Sequence, residues 1–318
     1  MGPAVLMNEE LETTDVPYNC VVCVKQVPDT KRITGEAMTA EGTVNRAALP
    51  AIFNPEDLNA LEEALAIREQ FGGTITVVTM GLPTACDVLR EALFRGADRV
   101  ILVTDRRAAA SDTLATSYIL SCAVKKMKAD IVLCGRQAID GDTAQVGPQL
   151  AEKLGLPLIT YVEQLMSLKD GLLHVRRNIG NGWEEVECQL PALLTVMETA
   201  NVPRPAAVRR IMKAKKARCT AEVAKAVEEQ MASAVPEAKA AEVKNRCGEL
   251  AKAGLLIEQW TLDDIEADLA WCGKSGSPTK VHRIQSVVLS GGEYHEYPPT
   301  DEGAAQLIST LIEDHTIG

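Results

Sequence analysis

Along residues 19–161 two patterns of hydrophobic and polar positions recur in turn: short unbroken apolar runs, and longer stretches with apolar positions three and four apart. The unbroken runs, at residues 20–27, 74–80, 99–103, 131–134 and 158–161, have the length and β-branched content of central parallel strands covered on both faces. Residues 56–69, 84–94, 112–127 and 143–154 carry the helical period between them. Such alternation predicts an α/β fold, a doubly wound, mostly parallel sheet with helices on both faces. Over residues 162–196 the period shortens to two, with turn signals at Lys169-Asp170-Gly171 and Gly180-Asn181-Gly182, which predicts antiparallel strands continuing the sheet edge. Beyond Met197 strand signals stop. Residues 201–210 read as an exposed arm. Residues 213–254, rich in Ala, Glu and Lys, read as one or two surface helices broken near Pro236.

Four strand-to-helix junctions carry distinctive residues, and in a parallel sheet they share the carboxyl edge. The richest is GRQAIDGDTAQVGP at residues 135–148, where an apolar run ends, Arg136 and Gln137 follow, and Asp142 and Gln145 have capping-box spacing. A loop opening into a helix amino terminus presents N–H groups to an anion, which makes this a nucleotide-phosphate site in outline. At residues 54–57, NPED, Asn54 has the place of an N-cap with Pro55 at the first helical position and two acids behind it, so capping alone accounts for it. Lys25 after the first strand reads more readily as a solvated cation than as a ligand contact, and TMGLP at 79–83 equally as a plain turn or a close backbone approach. SDTLATS at 111–117 is a hydroxyl-rich helix start, with Ser111 or Asp112 as cap or as a hydrogen-bonding surface for a polar ring or phosphate.

Composition narrows the function. A net charge of -11 over 318 residues and 3% aromatics argue against a nucleic-acid partner, since both a basic face and stacking platforms are wanting. Nine cysteines, mostly inside apolar runs, fit reduced thiols in a cytoplasm. Cys20 and Cys23 form a C-x-x-C, but on a strand that spacing sends the side chains to opposite faces. The four histidines are isolated, and neither G-x-G-x-x-G nor the P-loop pattern occurs. No side-chain nucleophile or acid–base set is therefore expected, and any redox chemistry would come from a bound cofactor.

The motifs VCVKQVPDT (22–30), NPEDLNALEEAL (54–65), VTMG (78–81), GADRVILVTD (96–105), GRQAIDGDTAQVGP (135–148) and IMKAKK (211–216) stand in the order in which they occur in a known family. The chain resembles the beta subunit of electron transfer flavoproteins, and in TMGLP, SDTLATS and GDTAQVGP it is similar to the electron-bifurcating branch. The resemblance implies an adenine-nucleotide-hydrolase-like fold and a heterodimer with an alpha subunit that carries FAD. It also implies that this chain binds FAD, with AMP as a structural ligand the alternative. Carried over by position, the contacts fall on Cys23, Asn54, Asp57, Met80 and Gly81, and on Gln137, Ala138, Ile139, Asp140, Gly141, Asp142, Thr143, Ala144, Gln145, Val146 and Gly147. Asp112, Thr113 and Thr116 would lie toward the isoalloxazine, and Arg136 would approach the flavin or its phosphates.

Electrons would pass between NADH, a low-potential acceptor such as ferredoxin or flavodoxin, and a higher-potential acceptor, within a dehydrogenase or oxidoreductase partner complex. An ordinary electron carrier holding AMP and a non-redox nucleotide sensor are the competing readings. One departure bears on partners: the family's docking loop L-N-E-P-R-Y is replaced here by ANVPRP at 200–205, which removes an apolar anchor and argues against an acyl-CoA dehydrogenase. The expected organisation is a flexible tail at 1–18, a nucleotide- or FAD-binding domain at 19–212, a helical insertion at 213–257, and an extension at 258–318 that wraps the partner subunit. The acidic tail lacks the basic start of a secretory signal, which suggests a cytoplasmic protein, with association to a membrane-bound partner left open.

Overall fold

Continuous apolar character makes the first strand, β1 (Tyr18–Cys23), a central one: five of its six residues are buried. The computed structural model describes residues 17–29, 49–279 and 295–313. The expected tail at 1–18 lies almost wholly outside the described residues, as do His282, His315 and parts of the expected C-terminal extension. After β1 come β2 (Gln26–Pro28), β3 (Ala51–Phe53), α1 (Pro55–Phe71), β4 (Gly73–Met80), α2 (Cys86–Arg95), β5 (Arg99–Val103), α3 (Thr113–Met127), β6 (Ile131–Gly135) and α4 (Val146–Leu154). The chain continues through β7 (Leu158–Lys169), β8 (Leu172–Asn178), β9 (Trp183–Gln189), β10 (Ala192–Val196), α5 (Val208–Ala214), α6 (Thr220–Gln230), α7 (Pro236–Lys252), β11 (Glu258–Trp260) and α8 (Asp301–Glu313).

Among the described residues nine strands form one sheet in the order β11-β5-β4-β1-β6-β10-β7-β8-β9, while β2 and β3 pair separately. Alternation along β1 sends Val22 into a core with Leu61, Leu65 and Leu89 of α1 and α2. Val21 faces Ile119, Leu120 and Leu150 of α3 and α4 on the opposite side. Each such fully buried Leu or Ile stabilises the fold by about 1.5–3 kcal/mol. Cys20 and Cys23 accordingly fall in different cores, as strand spacing requires.

Several expectations are corrected. The run at 20–27 is not one strand: the sheet strand ends at Cys23, and Gln26–Pro28 turns away to pair antiparallel with β3. Only β7, β8 and β9 continue the edge antiparallel; β10, buried at all five positions, runs parallel between β6 and β7. Its ALLTV run is the signature of a strand covered on both faces, embedded among alternating neighbours. Sheet structure also resumes after Met197, since β11 pairs parallel with β5; three half-buried residues are too few for a periodicity signal. The arm is not free either. Asn201 Nδ2 donates to Asn59 O and Glu63 Oε2, and the Arg204 guanidinium clasps Glu62 and Glu69 along α1, although Val202 remains 90% exposed.

Residues 220–252 form a hairpin of α6 and α7, in which Val223 and Val227 are buried on α6 and nothing is buried on α7. Of the expected extension, residues 258–279 pack on this chain's own sheet and α3, with Leu262 and Ile265 in the core and the Lys126 ammonium over the Trp260 ring. No described helix is long and apolar enough to cross a membrane.

Candidate functional site

From β1 the chain moves outward through β4 to β5, then crosses back to β6 on the other side of β1. The strand order therefore reverses between β1 and β6, and the loops leaving their carboxyl ends part to form a crevice, the usual ligand position in such sheets. Residues 24–28 and 136–145 flank that crevice, and the start of α1 lies beneath it.

The three polar side chains of NPED, Asn54, Glu56 and Asp57, tie these loops together. Asn54 has the N-cap position of α1 but makes no side-chain cap; its Nδ2 donates to Gln137 O at 2.9 Å and its Oδ1 accepts from Ile139 N–H at 3.1 Å. Capping alone thus does not account for Asn54. Glu56 Oε1 accepts from Arg136 Nη2 at 2.6 Å, and its Oε2 accepts from the Gln137 N–H at 2.8 Å. Asp57 bridges the two strand ends, accepting from Lys25 N–H at 2.8 Å and Gly135 N–H at 3.1 Å. Burial pushes its carboxyl up to about 7, against the Asn54, Lys25 and Gly135 hydrogen bonds that lower it. Close approach makes glycine necessary at 135, where a Cβ would lie 2.4 Å from Asp57 Oδ1.

Above this lattice the loop is partly exposed. Lys25 Nζ reaches Asp140 at 2.7 Å, closing the crevice from the β1 side, and Gln137 Nε2 donates to Asp142 Oδ1 at 3.1 Å. Ala138 O accepts from the N–H groups of Gly141 and Asp142, forming a turn. Asp142 and Ala144 have φ of 47° and 52°, a left-handed conformation costly to residues with a Cβ and incompatible with a helix. The expected helix at 143–154 therefore starts only at Val146, and the Asp142–Gln145 capping box does not form; Gln145 is itself the N-cap, without a side-chain cap bond. Gly141, Asp142, Thr143 and Gln145 are exposed, whereas Gly147 is buried against β10, where a Cβ would meet Thr195 Cγ2 at 2.6 Å. Val146, half-buried, packs on the α3/α4 core.

The start of α3 joins the same place. Thr113 Oγ1 donates to Gln145 Oε1 at 2.8 Å, and Gln149 Nε2 lies 3.5 Å from Thr113 Oγ1. Gln149 Oε1 is buried and has no partner among the described residues. Asp112 is the N-cap of α3: its Oδ1 accepts from Ala115 N–H and its Oδ2 from Thr279 N–H, so it also holds the C-terminal segment. Burial works against its charge, but the N–H groups of Ala115, Thr279 and Leu114 outweigh it and hold the carboxyl below its ordinary value. Thr116 is half-buried one turn along, with its N–H on Asp112 O. Met80 and Gly81 end β4 on the far side, with Gly81 N–H on Val103 O, and Cys23 is buried at the end of β1 beside Cys134.

Four contributors are absent from the residues expected in the site. Glu56 supports Arg136, and Gln149 offers the partnerless acceptor. Thr195 receives Gly147 and accepts from the Tyr161 N–H. Tyr161 stands at a β-bulge opposite Thr195 with φ 59°, its ring partly exposed. The acid at the second position of NPED was visible as a helix-start signal; Tyr161 and Thr195 come together only by strand pairing.

The electron transfer flavoprotein domain model matches residues 41–229. The chain is 41% identical to the electron transfer flavoprotein subunit beta of Clostridium acetobutylicum over 300 residues, covering 94% of this chain and 100% of the other. It is 39% identical to the caffeyl-CoA reductase-Etf complex subunit CarD of Acetobacterium woodii, covering 93% and 99%. It is 46% identical to protein FixA of Azorhizobium caulinodans over 272 residues, covering 83% of each chain.

Proposed function

This chain belongs to the electron transfer flavoprotein family as a beta subunit, and on that premise we propose that it binds FAD in the β1/β6 crevice and joins an alpha subunit in flavin-based electron bifurcation. NADH would be the electron source, with a low-potential acceptor of the ferredoxin or flavodoxin class and a higher-potential acceptor receiving the electrons. Similarity to a subunit of a caffeyl-CoA reductase-Etf complex supports a place in an oxidoreductase assembly.

The observation that carries the reading is the juxtaposition, at the point of strand-order reversal, of a backbone-rich loop with a hydroxyl–amide group that retains a partnerless acceptor. N–H groups at the amino end of α4 have no intrahelical partner, and the aligned peptide dipoles favour an anion there. Gly135 and Gly147 let backbone come close where side chains would collide. Thr113, Gln145 and Gln149 supply donors and acceptors to a polar ring edge, and Gln149 Oε1 would gain a hydrogen-bond donor on binding. A flavin bound here would supply one- and two-electron chemistry. The protein's part is to hold it and to set the charge around it. Arg136, fixed by Glu56 yet still 28% exposed, is the cation placed to do the latter.

Co-purification with the alpha subunit followed by acid extraction tests the proposal. FAD in excess of the alpha subunit's own content, lost on Gly147→Val, is the expected result. AMP in its place would overturn the assignment of FAD.

A further inference from the structure

Away from the crevice, Cys86 begins α2 and Cys219 is the N-cap of α6, so two segments far apart in sequence bring their thiols together. Both cysteines are fully buried. Their Sγ atoms and a carboxylate oxygen of Glu222 all lie within 4.8 Å of one another. We propose that Cys86, Cys219 and Glu222 form a binding site for a thiophilic divalent cation of the zinc class, which pins the α6–α7 hairpin to the body of the fold.

The donor set is that of zinc: thiolate sulfur at about 2.3 Å and carboxylate oxygen at about 2.0–2.2 Å place tetrahedral ligands roughly 3.5–4 Å apart. Only a small contraction of the observed cluster is needed. Two thiols release their protons on binding, leaving two thiolates and one carboxylate around a divalent ion. Arg90 balances the remaining negative charge, since its guanidinium donates to both Glu222 oxygens at 3.0 and 3.1 Å and is itself held by Asp87 and Ala217 O. Glu222 Oε2 also accepts from Cys219 N–H, whereas Oε1 takes a single bond from Arg90 and keeps a lone pair for a metal. A cavity of about 710 Å³, lined by Arg90, Lys215, Arg218, Glu222 and Lys225 among others, adjoins the cluster on its Glu222 side and has space for a water as a further ligand.

The hairpin needs such an anchor. Besides Cys219, only Val223 and Val227 are buried on α6, and α7 buries no residue. A metal bond at the first turn of α6 would add a strong link at the point where the hairpin leaves the core.

The full-length chain, isolated with reductant and without chelator, should contain about one zinc per molecule. Titration of the zinc-free chain with cadmium should produce the ultraviolet thiolate-to-cadmium charge-transfer band, saturating at about one cadmium per chain. Cys86→Ser and Cys219→Ser should each abolish both signals, while Cys122→Ser, on α3 in the opposite core, should leave them unchanged. Should either site variant fail to fold, the intensity of the charge-transfer band in the unmodified chain at saturation, that of two thiolates on about one cadmium, still decides the matter. Absence of cadmium uptake by the reduced chain, uptake that survives both substitutions, or a Cys86–Cys219 disulfide in the freshly isolated protein would overturn the proposal.

Discussion

Asp57 joins the two halves of the crevice from a buried position, so its ionisation is coupled to folding. Burial raises its carboxyl from 3.8 to about 7, which means the native state binds a proton more tightly than the unfolded chain. Its contribution is therefore complete below the unfolded value and is lost as pH rises through about 7. Asp57→Asn removes this dependence. Denaturant melts should show the variant's deficit relative to wild type shrinking from about pH 5 to about pH 8, by an amount on the order of a few kcal/mol. Asn54 works by hydrogen bonding alone. Its truncation to Ala leaves the Ile139 N–H and the Gln137 carbonyl without their partner, and a loss of about 1–3 kcal/mol in the same melts is expected. The residue types in NPED were legible as a helix start, but the targets of their side chains were not, because they lie some 80 residues away in the chain.

Among elements, the seating of α4 on β10 decides how close the loop comes to the sheet. Gly147 permits it, and a methyl group there would overlap Thr195 Cγ2. Gly147→Ala should cost about 1–3 kcal/mol and weaken nucleotide binding, whereas pairing it with Thr195→Ser, which deletes Cγ2 and keeps the hydroxyl on Tyr161 N–H, should restore much of both. Calorimetry on the two variants and the double variant checks this. The elements themselves were largely readable: α1, α3, β4 and β5 lie within a few residues of the spans that periodicity predicts. Where the reading failed, tertiary terms outweighed local ones. Left-handed Asp142 and Ala144 delay α4, and β10 leaves its alternating neighbours for the middle of the sheet.

For the whole molecule, burial is concentrated in the two cores beside β1, β4, β6 and β10 and thins toward α7. Local stability should follow. Hydrogen exchange is expected to be slowest in those four strands and fastest in α7, with protection of α6 and α7 rising on addition of zinc. The sequence by itself determined the alternation of strand and helix, the loop at 135–148 and the family, because each rests on residues close together in the chain and on local backbone preference. Only the tertiary structure decided that β10 stands parallel beside β6, that Asn54, Glu56 and Asp57 lock the crevice, and that Cys86 meets Cys219. These depend on which distant segments become neighbours when the sheet closes its hydrogen bonds and buries both faces, and no local period carries that choice.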